Sequence, residues 1–277
     1  MGFGELSTKK RILFIAQEMS PYLELSDYAA MVNKMAIKSN EAGLEVRVIM
    51  PRFGIINERR HRLHEVVRLS GINIVIDGDD YPLIIKVASL PNARLQVYFL
   101  DNEDYFKRKT VFADENEEFF DDNAARAVFF CKGALETVKK FGWPPDIIHC
   151  SGWMTSLIPM YLKTAYKKEP VFANSKTIYS LTPNTFKEKL GTTFVKKAMI
   201  SNQIKEKDME LFKEGTNTAL NRGAAKYADA VVLAGDKLEK KVVDEVKAEK
   251  GKIILPYKKD NEDLGDYLQL YNQLLGK

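Results

Sequence analysis

Cysteine and histidine are scarce in this chain of 277 residues: Cys131 and Cys150 are its two cysteines, and His61, His64 and His149 its three histidines. None of them stands at the paired Cys/His spacing of a structural zinc site, so no metal is expected. One cysteine on a helical pattern and one at a strand end give no disulfide framework, which fits a reduced, cytoplasmic compartment. No apolar run approaches the roughly 18 residues of a membrane span. The run Ile12-Leu13-Phe14-Ile15-Ala16, after Lys9-Lys10-Arg11, is too short for a secretory signal and stops at Gln17-Glu18. It reads as a buried strand. A surplus of one charge is missing too, since 42 Lys+Arg against 38 Asp+Glu leave only +4. That balance argues against a nucleic-acid or membrane partner. Absent as well are the glycine-rich phosphate loops G-x-x-x-x-G-K-[ST] and G-x-G-x-x-G, the nucleophile elbow G-x-S-x-G and the zinc motif H-E-x-x-H.

What remains is an ordinary globular composition, 45% hydrophobic with a mean hydropathy of -0.28. At 31.6 kDa the chain can bury a sizeable core in one large domain or two small ones. Strand and helix patterns alternate. Arg11–Ala16 is a strand, and Leu25–Ala42 carries the helical spacing Ala29, Val32, Ala36, Ile37 with Gly43 as its cap. Glu45–Met50 is the next strand, which completes a βαβ unit and implies a parallel sheet. Between residues 66 and 100 three short apolar runs separated by turn sequences predict an antiparallel insertion of hairpins. Asn102–Asp122 is a polar, acid-rich loop. Helices are then predicted over Ala124–Phe141, Met154–Tyr166, Asp208–Tyr227, Asp236–Val246 and Asp263–Leu275, with strands at Asp146–His149, Thr177–Leu181 and Ala230–Leu233. The fold class is α/β: one Rossmann-like open parallel sheet with helices on both faces, forming a single domain over 1–277.

The segment His149-Cys150-Ser151-Gly152-Trp153 follows the carboxyl end of a predicted strand, where open α/β sheets place ligands. Trp153 there either stacks on a sugar or base, or closes the helix–sheet core. His149 and Cys150 point to opposite faces as strand neighbours, so they form no catalytic dyad. The turn from Glu18 to Asp27 has no glycine and reads as a loop with a helix cap at Ser26 or Asp27. The clustered acids of 102–122 and the pairs Lys167-Lys168 and Lys240-Lys241 read as solvated surface.

Several segments in order resemble the N-terminal domain of bacterial glycogen synthase and plant starch synthase, glycosyltransferase family five. Phe14–Pro21 is similar to the family's H-V-A-x-E-x-x-P, and Gly43–Gly54 to its G-H-E-V-R-V-x-x-P-x-Y-G. Asp122–Phe130 resembles D-N-x-x-R-F-x-x-F, Asp146–Trp153 resembles D-V-V-H-A-H-D-W, and Leu220–Val231 resembles L-K-A-G-x-x-Y-A-D-x-V. The resemblance implies half of a two-domain GT-B glucosyltransferase that uses ADP-glucose. It also exposes departures. The family's K-T-G-G-L-A-D-V turn places Glu24 at the lysine, Ser26 and Asp27 at the glycines, and Ala30 at the aspartate. A lysine-to-glutamate change reverses an interaction with a diphosphate worth roughly 4 kcal/mol at about 4 Å and an effective dielectric near 20. In H-A-H-D-W, Ser151 replaces the second histidine and Gly152 the aspartate; in T-x-H-N, Thr182 replaces the histidine and Pro183 the asparagine.

No catalytic residue is therefore assigned, since Glu24, Gly152 and Thr182 are all substituted. Tyr22, Ser151, Trp153 and Asn184 are the candidate glucan-cleft residues, and no cofactor is expected. The sequence ends soon after this first domain, and no residues remain for a second. The resemblance thus implies a pseudoenzyme, non-catalytic alone, that binds α-glucan or a maltooligosaccharide as an accessory domain. Two alternatives stand beside it. One is an ADP-glucose-dependent glucosyltransferase completed by a second polypeptide. The other is an interaction module whose re-surfaced cleft, with the polar run Thr182–Lys189, takes a protein partner or a second copy.

Overall fold

Runs of apolar residues too short for a helix and buried on both faces become the strands of one sheet. The computed structural model describes residues 9–259 and 264–276. The strands are β1 (Arg11–Ala16), β2 (Glu45–Pro51), β3 (His64–Glu65), β4 (Ile72–Ile76), β5 (Asp79–Ser89) and β6 (Gln96–Asp101), followed by β7 (Ile147–Ser151), β8 (Lys176–Leu181), β9 (Ala230–Leu233) and β10 (Ile253–Leu255). Their order is β10-β9-β8-β7-β1-β2-β6-β5-β3, with β4 paired to β5. Neighbours from β10 to β6 are parallel, while β5 is antiparallel to β3, β4 and β6. The sheet is mixed, mostly parallel, and flanked by helices.

The hairpin stretch is antiparallel as expected across β4, β5 and β6, and it also joins the main sheet, because β6 lies parallel to β2 in the register Met50↔Phe99 and carries β5 with it. The burial of Val97–Asp101 on both faces explains this, since a strand so apolar needs a neighbour and a covering layer. Helix Asn123–Phe141 provides that cover, with fourteen of its nineteen residues buried.

Three helices are shorter than their apolar spacing suggests. The first runs over Tyr28–Glu41, because the Ser26 hydroxyl accepts the Tyr28 N–H (3.2 Å) and turns the chain just before it. Met154–Tyr166 divides into a tight turn at Trp153–Thr155 and a helix at Ile158–Lys163, where Pro159 has no N–H to continue an earlier turn. Asp208–Tyr227 divides into Glu206–Met209 and Asn217–Tyr227. Gly215 (φ +63°) breaks the run, and Thr216 caps the second piece by accepting the Ala219 N–H at 3.1 Å. The next helix is Lys240–Ala248, and the last, Gly265–Leu274, begins after Asp263, which lies outside the described residues.

Chain order reverses direction at β1. From there the chain moves outward through β2 and β6 on one side, and through β7, β8, β9 and β10 on the other. Such a reversal leaves a crevice at the carboxyl ends of the strands. Among the described residues no helix is long and apolar enough to cross a membrane.

Candidate functional site

A cleft of about 530 Å³ lies at that reversal. Gln17 enters it from the end of β1, Ser151 and Gly152 from β7, Thr182 from β8, and Ala234–Asp236 from β9. Tyr257, Lys258 and Lys259 close one side after β10. The parallel register brings these ends together: Ala16 pairs with Ser151, Ser151 with Ser180, and Leu181 with Leu233.

The floor is fixed by hydrogen bonds within the fold. Gln17 donates its N–H to the Ser151 carbonyl (3.0 Å), and its Oε1 accepts the Met154 N–H (3.3 Å). Gly152 sits at φ +87°, and a Cβ built there would lie 2.5 Å from the Gln17 Cβ. The turn after β7 is thus shaped around Gln17, and any side chain at 152 needs a different backbone. Nearby, the Glu18 carboxylate accepts the backbone N–H groups of Leu25 (2.5 Å) and Ser26 (2.8 Å) and the Ser26 hydroxyl (2.6 Å). Burial raises its pKa despite these three donors, and Glu24 raises it further. Glu18 therefore ties the first turn to the sheet and satisfies two backbone amides of that turn.

Beneath the cleft a buried chain of polar groups runs from β7 to the last helix. His149 Nε2 lies 2.7 Å from the Ser180 hydroxyl, and Nδ1 lies 2.9 Å from the Tyr271 hydroxyl. Tyr28 donates its hydroxyl to Ser180 at 2.6 Å. Burial pushes the His149 pKa down to about 3 and the Cys150 thiol well above its usual range. A neutral imidazole saturated by hydroxyls and a protonated thiol offer neither base nor nucleophile.

The candidate residues scatter. Ser151, Gly152, Trp153 and Thr182 border the cleft. Trp153 is only 2% exposed, lying under Phe112 and Phe186 with ring centres 4.9 and 5.0 Å away. Its indole N–H has no hydrogen-bond partner among the described residues. Tyr22 is outside the cleft lining: it is buried edge-on to His61 and Phe99, with its hydroxyl on the Ser89 carbonyl (3.3 Å). Glu24 lies on the outer surface of the first turn, and exposed Asn184 is engaged by Thr218 and Asn221. Sequence reasoning overlooked Gln17, Glu18, Asn217 and the 257–259 segment as cleft residues. Extending the strand-end rule to β9 and β10 would have found Asp236 and Tyr257. Nothing local marks Asn217, whose Oδ1 accepts the Thr185 N–H at 2.7 Å.

Three carboxylates (Glu18, Asp27, Asp236) and two ammonium groups (Lys258, Lys259) line the cleft, along with the hydroxyls and amides of Gln17, Ser151, Thr182, Thr185 and Asn217. Among the described residues no three His, Cys, Asp or Glu side chains converge as a metal ion would require.

A family model described as the starch synthase catalytic domain matches residues 11–252. The glycogen synthase of Chlorobium limicola is 34% identical over 220 residues, covering 79% of this chain and 44% of that protein. The glycogen synthase of Chlorobaculum tepidum is 34% identical over 236 residues, covering 85% and 48%. The chain therefore spans less than half the length of these relatives. The catalytic domain of starch synthase IV from Arabidopsis thaliana, solved bound to ADP and acarbose, shares the fold. It has a TM-score of 0.72 at 17% identity, over 90% of this chain and 52% of that one.

Proposed function

The chain belongs to the starch synthase catalytic-domain family, and from that premise we propose that its cleft binds an α-glucan or maltooligosaccharide without transferring glucose by itself. The carrying observation is the charge of the cleft, whose lining holds three carboxylates against two ammonium groups, one of them, Lys258, already paired with Asp266. A nucleotide diphosphate entering it would meet net repulsion, whereas a sugar's hydroxyls can donate to those carboxylates. Glu18 already occupies the amides of Leu25 and Ser26, and Gly152 cannot be exchanged for an acid on its present backbone.

Binding would need no chemistry beyond orientation. Asp27 and Asp236 accept sugar hydroxyls, while Gln17, Ser151 and Thr182 exchange hydrogen bonds across the strand ends. Calorimetric titration of the chain with maltoheptaose, followed by ADP-glucose in the same cell, tests the reading. Saccharide heat without nucleotide heat is expected. Transfer of glucose from ADP-glucose to glycogen by this chain, or no heat from the saccharide, overturns it.

The match to less than half of each relative favours a second reading, in which this region supplies the acceptor side of a transferase and the nucleotide side comes from elsewhere. That reading expects ADP-glucose turnover to appear only when the other half is added.

A further inference from the structure

A second groove, sharing no residue with the cleft, lies where the β4–β5 turn meets helix Asn123–Phe141 and the short helix Phe194–Ala198. It encloses about 450 Å³. Three ammonium groups line it, from Lys132, Lys196 and Lys197, and one carboxylate, from Asp77. Asp77 lies 2.7 Å from the Lys196 Nζ and 4.0 Å from the Lys197 Nζ, so a single negative charge is divided between two cations.

Lys132 is left over. Its Nζ donates to the Val75 carbonyl at 2.9 Å, and among the described residues no carboxylate lies within ion-pair distance of it. Burial lowers its pKa, against a weaker opposing pull from Glu136 one turn along the same helix. Glu136 is itself engaged by the Tyr166 hydroxyl (2.7 Å) and by Lys139. With one of three N–H groups on Val75, Lys132 keeps two donors beside the groove. Val75, Met199 and Ile200 supply an apolar wall, which strengthens the attraction of any charge seated there.

We propose that this groove is an oxyanion site that takes a phosphate dianion, either free or esterified to a sugar, between Lys132 and the Lys196–Lys197 pair. A dianion balances the two positive charges that Asp77 leaves uncompensated, and all three lysines line the one groove it would enter. The groove is larger than bare phosphate requires, so a sugar carried on the phosphate can lie along the Met199–Ile200 wall.

Calorimetry of the full chain with inorganic phosphate and, separately, glucose 6-phosphate at constant ionic strength tests the assignment. Saturable binding of one anion per chain is expected, weakened about tenfold or more in Lys132→Met. Exposed Lys196 makes Lys196→Gln a second variant that leaves the core untouched, and it should weaken binding in the same direction. Equal affinity for the two probes identifies free phosphate as the ligand, and tighter glucose 6-phosphate identifies a phosphorylated sugar. No saturation by about 10 mM of either probe, or unchanged affinity in both variants, overturns the site. Maltoheptaose titration of the same variants should be unaltered, which separates this groove from the cleft.

Discussion

Gly152 shows how a single position can fix the shape of a turn. A methyl group there meets Gln17 at 2.5 Å and also forces a side chain into positive φ, so Gly152→Ala should destabilise the chain by about 1–3 kcal/mol. Thermal unfolding of the variant reads this directly; an unchanged midpoint would mean the turn is not held against Gln17. The sequence announced a departure at 152 through its motif, yet not the contact with Gln17, because that contact joins two strand ends 135 positions apart. Glu18 gives a prediction of opposite character. Its folded pKa lies above the 4.5 of an unperturbed carboxyl, so the folded chain retains its proton after the unfolded chain has lost it. The contribution of Glu18 to stability therefore falls as pH rises above that value. Comparing wild type with Glu18→Gln between about pH 4 and pH 7, the difference in stability should shift against wild type as pH rises. A constant difference would show that Glu18 titrates normally.

At the scale of elements, the alternation of strands and helices was legible because each parallel strand is a short apolar run between polar turns. Arg11–Ala16 and Ala230–Leu233 stand where the pattern places them. The divided helices were not legible, since apolar spacing continues across Pro159 and Gly215 and only backbone geometry interrupts it. Nor does the sequence say what holds the last helix. Tyr271 and Tyr267, one turn apart, place their rings 5.9 and 6.4 Å from His149, which joins the helix to β7 and β8 through Ser180. Tyr271→Phe leaves the Nδ1 of a fully buried imidazole without a partner and should cost about 1–3 kcal/mol, read from the denaturant midpoint. His149 itself stays neutral when folded, with its pKa near 3, but gains a proton in the unfolded chain below about 6.5. The His149 contribution to stability should therefore fall as pH drops from about 7 to about 5.5, opposite in direction to that of Glu18. His61, whose pKa burial also lowers, adds to the same trend. In His149→Gln the slope over this window should flatten; an equal slope would assign it elsewhere.

At the scale of the whole molecule, function follows from what the strand ends collect. The family resemblance was readable from motifs spread along the chain, and the position of the cleft from the rule for parallel sheets. Its charge was not readable, because Asp27, Asp236, Lys258 and Lys259 come from three separate loops and meet only in space. The sequence directed attention to Glu24, which faces outward beside Ser20 and Ala30, while Glu18 enters the cleft. This redistribution changes the measurement that best separates the ligand classes. A neutral oligosaccharide bound through hydroxyls and amides has no net charge for salt to screen, whereas a diphosphate near Lys258 and Lys259 would depend strongly on ionic strength. Maltoheptaose affinity should accordingly change less than about twofold between about 50 and 500 mM salt. Replacing Asp27 and Asp236 by asparagine removes two of the three carboxylates of the lining, leaving Glu18 and Lys259 beside the Lys258–Asp266 ion pair. ADP should begin to bind this double variant at low salt and leave it at high salt. If ADP binds the wild-type chain with the same salt dependence, the carboxylates do not set ligand class, and the second half of a transferase becomes the partner to seek.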